Sequence, residues 1–139
     1  MISLDTNIIL SALNPKDAQH ENAVSLLEEL SGKALFISPP VYAELRAGPG
    51  WSLVEAFLDQ FSIRLQDGMP LPVWKLAGER FGLYAHKRRE VKKKRKTPLP
   101  RRILADFLIG SHALFHGLHL ATFDPRHYRL AFPELEVVP

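Results

Sequence analysis

The sequence predicts an α/β sandwich in which helices flank a central parallel sheet. Short apolar segments of strand length alternate along the chain with longer segments whose apolar residues recur at helical spacing. We interpret the short segments as buried strands, as expected in a parallel sheet that is covered on both faces. A length of 139 residues suits one core, so we expect residues 1–139 to form a single domain.

Proline and glycine mark the ends of the predicted elements. Pro15, Gly32 and Gly48 each close a helix, and a long helix after Pro72 runs into residues 86–102. We predict strands at 2–4, 34–37, 63–65, 118–121 and, at a sheet edge, 135–138. We predict helices after Asn7, after Asp17, over 40–47, after Gly50, after Pro72 and over 101–116.

Composition excludes several classes of protein. The chain has no cysteine, so it forms neither a disulfide nor a thiolate metal site, and we expect it to act in a reducing cytoplasm. The N-terminus lacks the basic region of a signal peptide, and Asp5 interrupts its apolar run. The apolar stretch 103–123 contains Asp106 and three histidines, so we interpret it as a buried helix and a strand and predict no membrane span.

Charge is unevenly distributed along the chain. Residues 86–102 contain ten of the eighteen Lys and Arg residues and one acid, Glu90, so this basic segment carries +9. The remaining eight cations and fourteen acids give the rest of the chain −6. Such a run is most often a solvated, mobile loop, and the alternative is an arm that binds phosphate backbones by displacing counterions. In that alternative the residues that contact RNA phosphates include Lys92, Lys93, Lys94, Arg95 and Lys96.

Four acidic residues lie among apolar neighbours. Asp5 and Asp124 follow predicted strands, and ligands in open α/β sheets bind beyond the carboxyl ends of strands. Glu44 is turned at least partly inward on its helix, and Asp106 lies in an apolar helix, where an ionised carboxylate needs a partner. Simpler roles stay open for three of them: a helix cap for Asp5, a surface ion pair for Glu44 and a turn residue for Asp124.

The four carboxylates meet if the two strand ends are adjacent and the two helices lean over them. Their repulsion would then raise at least one pKa unless a cation neutralised them. Because the donors are hard oxygens, we predict Mg²⁺ or Mn²⁺, which would activate a water to hydrolyse a phosphodiester. Thr6, Asn7 and Thr122 are placed to hold the carboxylates or ligand waters. Arg102 lies one helical turn before Asp106 and contacts either a substrate phosphate or Asp106 itself.

These residues resemble the acidic motifs of the PIN-domain nucleases, especially the VapC-like toxins of prokaryotic toxin–antitoxin pairs. The matching segments are Leu4-Asp5-Thr6-Asn7-Ile8, Glu44-Leu45 with Gly48, Ala105-Asp106-Phe107-Leu108-Ile109 and Ala121-Thr122-Phe123-Asp124, and residues 124–138 are also similar. The resemblance implies a PIN-like three-layer sandwich whose catalytic and metal-binding acids are Asp5, Glu44, Asp106 and Asp124, called here the acidic cluster. It also implies a Mg²⁺- or Mn²⁺-dependent endoribonuclease, a homodimer and a cognate antitoxin. The basic segment is heavier than the family pattern.

Three other interpretations stay open. A phosphatase of the haloacid dehalogenase type would use Asp5 as its nucleophile, but that family has a second aspartate where this chain has Asn7. A non-catalytic RNA-binding module would use the basic segment and bind RNA without cutting it. His112 and His116 lie one turn apart and would form half of a zinc site, but no third ligand is evident, so we expect ordinary surface histidines.

Overall fold

A computed structural model describes residues 1–94 and 97–139 of the chain. Within these residues five strands form one parallel sheet with the order β3-β2-β1-β4-β5. The strands are β1 (Ile2–Leu4), β2 (Leu35–Ile37), β3 (Ile63–Leu65), β4 (His119–Ala121) and β5 (Val137–Val138). The predicted parallel α/β fold is confirmed, and β5 lies at a sheet edge as expected.

Helices flank this sheet. They are α1 (Thr6–Leu13), α2 (His20–Glu29), α3 (Pro39–Ala47), α4 (Trp51–Gln60), α5 (Leu71–Lys93), α6 (Leu104–Phe115) and α7 (Pro125–Ala131). The helix predicted over 40–47 is confirmed with one more residue at its start, because Pro39 suits the first helical position. No helix in the described part of the chain is long and apolar enough to cross a membrane.

Both faces of the sheet are covered. Ile2 and Leu4 project to one face of β1 and Ser3 to the other, and all three side chains are buried. The central strand therefore lies between two layers of helices, as its apolar composition predicts. Part of the covering core is an aromatic stack in which the rings of Phe81 in α5 and Phe107 in α6 lie 4.8 Å apart.

The carboxyl ends of β1 and β4 form the topological switch point of the sheet. From β1 the chain continues to β2 on one side, whereas β4 pairs with β1 on the other side. The register pairs Leu4 with Ala121, so Asp5 and Thr122 follow side by side. Open α/β sheets bind ligands at this place.

The basic segment is partly helical, so the prediction of a loop is wrong for residues 86–93. Helix α5 continues through these residues to Lys93. The returning chain supports it, because the Tyr84 hydroxyl donates to the Pro100 carbonyl at 2.7 Å and Arg88 Nε donates to the Leu99 carbonyl at 3.2 Å. These contacts of Leu99 and Pro100 with α5 stabilise the helix against the repulsion between its own Lys and Arg side chains.

Two other elements differ from prediction. Helix α6 begins at Leu104 rather than at 101, because the backbone of Ile103 is extended at φ −103° and ψ 161°. Helix α7 was not predicted, since Asp124 before Pro125 was interpreted as a turn. Both differences change the surroundings of the acidic cluster.

Candidate active site

Asp5 occupies the carboxyl end of β1 and is buried. Its backbone N–H donates to the Ala121 carbonyl at 2.9 Å, which fixes it against β4. Carboxylate Oδ1 accepts from the backbone N–H of Thr6 at 2.8 Å, and Oδ2 accepts from the hydroxyls of Thr122 at 2.8 Å and Tyr128 at 3.3 Å. Asp5 therefore caps α1 and also belongs to a polar network at the switch point.

Thr122 is the centre of that network. Its hydroxyl oxygen accepts from Asn7 Nδ2 at 3.3 Å and from the backbone N–H of Asp124 at 3.0 Å. The side-chain oxygen of Asn7 in turn accepts from the backbone N–H of Phe123 at 3.3 Å. These contacts join the end of β1 to the segment after β4, so the structure brings Asn7 and Thr122 to Asp5.

Glu44 reaches the same place from α3. Its Oε1 accepts from the Thr6 hydroxyl at 3.3 Å, so Thr6 contacts both Asp5 and Glu44. Glu44 itself is exposed, whereas Val41 and Leu45 on either side of it are buried. The carboxylate thus faces the open side of the site from a helix anchored in the core.

Asp106 lies in the first turn of α6. Its Oδ2 accepts from the backbone N–H of Ile103 at 3.4 Å, which helps to start the helix there. The side chain is 23% exposed, so it is half-buried rather than enclosed in the apolar core. Oδ1 is left facing the acidic cluster.

Arg102 differs from its sequence prediction in place and partner. It precedes α6 instead of lying one turn before Asp106 on that helix. Its Nη1 lies 2.7 Å from Oδ2 of Asp124, so the predicted ion pair with Asp106 is wrong. The extended backbone at Ile103 is the physical reason, because it places Arg102 beside the residues that follow β4.

Electrostatic effects couple the Asp5 carboxylate with those of Asp124, Glu44 and Asp106. Burial raises the pKa of Asp5, and the charge of Asp124 raises it further against the opposing effect of hydrogen bonds. Partial burial of the Glu44 carboxylate raises its pKa, and the charges of Asp5 and Asp106 raise it further. Burial also raises the pKa of Asp106, and the charges of Asp5 and Asp124 raise it further. Repulsion within the acidic cluster is therefore present, as the sequence predicts.

Comparison with known proteins agrees with this geometry. The profile of the PIN domain family matches residues 2–133. The chain belongs to the PIN-domain family. Members of this family are nucleases, and that assignment favours a nuclease over the phosphatase and the non-catalytic module. No curated protein sequence matches the chain significantly.

Solved structures of PIN proteins share the fold over the whole chain. VapBC2 from Rickettsia felis, crystallised with a DNA fragment from its promoter, is 25% identical with a TM-score of 0.62 and covers 99% of this chain and 98% of its own. FitAcB from Neisseria gonorrhoeae is 23% identical with a TM-score of 0.62, and the match covers 100% of this chain and 97% of that one. VapBC-1 from nontypeable Haemophilus influenzae is 19% identical with a TM-score of 0.59, covering 99% and 97%.

This PIN domain places two further residues at the site that the sequence analysis did not single out. Tyr128 is fully buried on α7, and its hydroxyl contacts Asp5. Burial and the charges of Asp5 and Asp106 raise the pKa of Tyr128 well above its ordinary value, so the hydroxyl remains a donor. His127, also on α7, lies between Asp106 and Asp124. The available signal was Asp124 before Pro125, a helix start with proline at the first position.

His112 and His116 do not form half of a zinc site in this PIN domain. Nε2 of His112 lies 2.7 Å from the Gln66 carbonyl, and Nε2 of His116 lies 2.8 Å from the Gly68 carbonyl. His112 is fully buried, so the expectation of a surface histidine is wrong for it. The two imidazole rings therefore link residues 66–68, which follow β3, to helix α6.

The predicted phosphate-contacting lysines lie at the end of α5. Lys92 and Lys93 form part of the last turn, Lys94 follows it, and all three are exposed. Arg95 and Lys96 lie outside the described residues. Cations at a helix C-terminus interact favourably with its partial negative charge.

The donor chemistry of the acidic cluster fits a hard divalent cation. Carboxylates and threonine hydroxyls are oxygen donors, and the raised pKa values of Asp5, Glu44 and Asp106 show negative charge that the surrounding protein does not neutralise. Both ring nitrogens of the buried His127 lack a hydrogen-bond partner in the described residues. No three His, Asp or Glu side chains of residues 1–94 and 97–139 are already gathered around one point.

Proposed function

We propose that this PIN domain is a metal-dependent endoribonuclease and the toxin of a toxin–antitoxin pair. The observation that supports the proposal is that Thr6 and Thr122 link Asp5 by hydrogen bonds to Glu44 and to the backbone of Asp124 at the switch point of the sheet, while the charge of Asp5 raises the pKa of Asp106. Repulsion between carboxylates destabilises the folded protein, and burial further disfavours their ionised forms. A bound cation therefore explains their arrangement best.

Asp5, Glu44, Asp106 and Asp124 would hold Mg²⁺ or Mn²⁺. Such an ion activates water and neutralises charge on a phosphodiester. Asp5 is oriented by Thr122 and Tyr128, which donate to the same oxygen of its carboxylate. Thr6 orients Glu44, while Asn7 and Thr122 fix the backbone that carries Asp124.

Cations around the site support a polyanionic substrate. Arg102 lies beside Asp124, and we propose that its guanidinium contacts an RNA phosphate when substrate is bound. Lys92, Lys93 and Lys94 would attract the RNA backbone without reading its sequence. We assign the same role to Arg95 and Lys96.

The related structures support a protein partner. VapBC2, FitAcB and VapBC-1 are complexes of a toxin with its antitoxin. We propose that this chain likewise binds a cognate antitoxin and forms a homodimer. Co-purification with the product of an adjacent small reading frame, followed by sedimentation of the complex and of the free chain, tests both.

Cleavage of defined RNAs tests the catalytic proposal. Purified protein is incubated with end-labelled RNA and with DNA of the same sequence, in Mg²⁺, in Mn²⁺ and in EDTA. We expect RNA to be cut at internal positions with either metal ion and left intact in EDTA, and sequencing of the new ends gives the cleavage site. Binding of RNA without cleavage under every metal condition would refute a nuclease and support the RNA-binding module.

A further inference from the structure

His127 is a buried histidine without a hydrogen-bond partner beside the acidic cluster. Its side chain is 3% exposed, and neither Nδ1 nor Nε2 has a partner among the described residues. A buried polar atom without a partner destabilises the folded protein, so such an atom calls for an explanation. The comparable buried histidine, His112, engages a backbone carbonyl at 2.7 Å.

The ring of His127 faces two carboxylates at distances too long for hydrogen bonds. Nε2 lies 3.9 Å from Oδ1 of Asp106, and Nδ1 lies 3.9 Å from Oδ2 of Asp124. A neutral imidazole carries one N–H and one nitrogen lone pair, so one of the two nitrogens presents its lone pair to a carboxylate oxygen.

Oδ1 of Asp106 is free for a further contact. Asp106 accepts its backbone hydrogen bond on Oδ2, which leaves Oδ1 facing Nε2 of His127. Oδ2 of Asp124, by contrast, is already paired with Arg102 at 2.7 Å. Whichever ring nitrogen carries the proton, the 3.9 Å between Nε2 and Asp106 Oδ1 is too long for a hydrogen bond.

With its proton on Nδ1, the ring presents the lone pair of Nε2 to Oδ1 of Asp106, and an electron-pair acceptor between these two atoms would bind both. Metal–ligand bonds of about 2.1 Å on each side reach across roughly 4.2 Å at most, so a gap of 3.9 Å admits one divalent ion. Imidazole nitrogen is a ligand for transition metals, whereas Mg²⁺ strongly prefers oxygen. We propose that Nε2 of His127 is a nitrogen ligand of the acidic cluster and makes this PIN domain select Mn²⁺ over Mg²⁺.

This inference rests on the proposed function, because it requires the acidic cluster to bind a divalent ion. Pulsed electron paramagnetic resonance of the full chain with Mn²⁺ alone tests it directly, since a coordinated imidazole imposes a ¹⁴N modulation on the Mn²⁺ echo. We expect that modulation in the wild-type protein. Labelling the histidines with ¹⁵N replaces it with the ¹⁵N pattern and needs no substitution in the buried α7.

Two variants assign the signal and measure selectivity. His127→Gln is expected to lose the modulation and to raise the Mn²⁺ dissociation constant about 10-fold, with a smaller change for Mg²⁺. His119→Gln is the matched control, because His119 is 47% exposed at the start of β4 and pairs with Glu136. Its modulation and its Mn²⁺ to Mg²⁺ affinity ratio are expected to match those of the wild type.

The outcomes separate the two proposals. Mn²⁺ that binds without any nitrogen modulation overturns the role of His127 and leaves the carboxylate metal site standing. An unchanged Mn²⁺ to Mg²⁺ affinity ratio in a folded His127→Gln protein also overturns it. Failure of the wild-type protein to bind either ion refutes the metal-dependent nuclease itself.

Discussion

Arg102 forms an ion pair with Asp124, in which Nη1 and Oδ2 lie 2.7 Å apart. The guanidinium thereby supplies positive charge to one member of the acidic cluster in the absence of a metal ion. Both side chains are accessible from the site, at 20% and 44% exposure, so the pair is open to competition. A divalent ion that uses Asp124 competes with Arg102, and a substrate phosphate competes with Asp124 for the guanidinium.

Substitution of Arg102 is therefore expected to change metal and RNA binding in opposite directions. In Arg102→Gln we expect divalent ions to bind a few-fold more tightly, because Asp124 loses its competing cation, and RNA to bind a few-fold more weakly. Isothermal titration with Mn²⁺ and filter binding of RNA measure the two effects. Arg101→Gln is the control, since Arg101 is an exposed neighbour of the same charge. Equal effects of both variants would refute a specific role for Arg102.

Asp106→Asn is expected to abolish cleavage and to stabilise the metal-free protein. The amide oxygen keeps the contact with the Ile103 N–H, while the variant loses a charge that Asp5 and Asp124 repel. We expect activity to fall about 100-fold or more and Tm without metal to rise by about 2–4 °C. The control is Asp59→Asn on the exposed surface of α4, for which we expect neither change. A lower Tm for Asp106→Asn than for the wild type would contradict repulsion in the cluster.

The raised pKa values predict how pH affects stability. A carboxyl whose pKa is higher in the folded than in the unfolded state binds protons more tightly when folded, so its contribution to stability falls as pH rises through that interval. Asp5, Glu44 and Asp106 all have raised pKa values, so the metal-free protein loses stability from these groups above about pH 4. Metal binding requires the ionised forms, so stabilisation by Mg²⁺ is expected to grow over the same interval.

The measurement of this pH effect must remove an opposing contribution. His127 has its pKa lowered to about 4 in the folded protein, so its contribution to stability rises with pH up to about 6.5. Tm is therefore compared between His127→Gln and the double variant that also carries Asp106→Asn, from pH 4 to 8 with and without Mg²⁺, because neither protein contains the imidazole that lies 3.9 Å from Asp106. A difference that does not change with pH would contradict a raised pKa for Asp106.

Thr122→Val tests the network that holds Asp5. Valine keeps the shape of the side chain, but it leaves Asn7 Nδ2 and the N–H of Asp124 without this partner and removes one of the two hydroxyls that donate to Oδ2 of Asp5. We expect a loss of about 1–3 kcal/mol in the free energy of unfolding, measured by urea denaturation. Because the Thr122 hydroxyl lowers the pKa of Asp5, metal affinity near pH 5 is expected to fall as well. Thr122→Ser restores the hydroxyl and is expected to recover both properties.

Much of the site follows from the sequence because its positions depend on local patterns and on the topology of a parallel sheet. A short strand of mainly apolar residues followed by Asp5 predicts that this carboxylate lies at a strand end, and the segment before Asp124 does the same for β4. Once β1 and β4 pair in parallel, their carboxyl ends coincide. Asp106 can be identified from the sequence because it is a charged residue among the apolar residues of a predicted helix.

The missed features depend on tertiary contacts that local patterns do not encode. The partner of Arg102 differs from the predicted one because α6 begins three residues later than the periodicity suggests, after the extended Ile103. Helix α7 has only seven residues, so it offers two turns of periodicity and was not recognised. His127 and Tyr128 were missed with it, although they line the acidic cluster. Helix α5 reaches Lys93 because the returning chain packs on it, against its own charge repulsion.

Neutralising the exposed lysines at the end of α5 is expected to weaken RNA binding and leave metal binding unchanged. In the triple variant with Gln at Lys92, Lys93 and Lys94, three cations are lost while helix propensity is kept. Each phosphate contact contributes about 0.7 to the slope of log affinity against log salt for a single strand, so we expect the slope to fall by about 2. A second triple variant replaces three exposed lysines elsewhere with Gln, namely Lys16, Lys33 and Lys75, and removes the same net charge. An equal loss of slope in both would show that net charge alone attracts RNA, whereas a loss confined to the first places the RNA backbone along the end of α5.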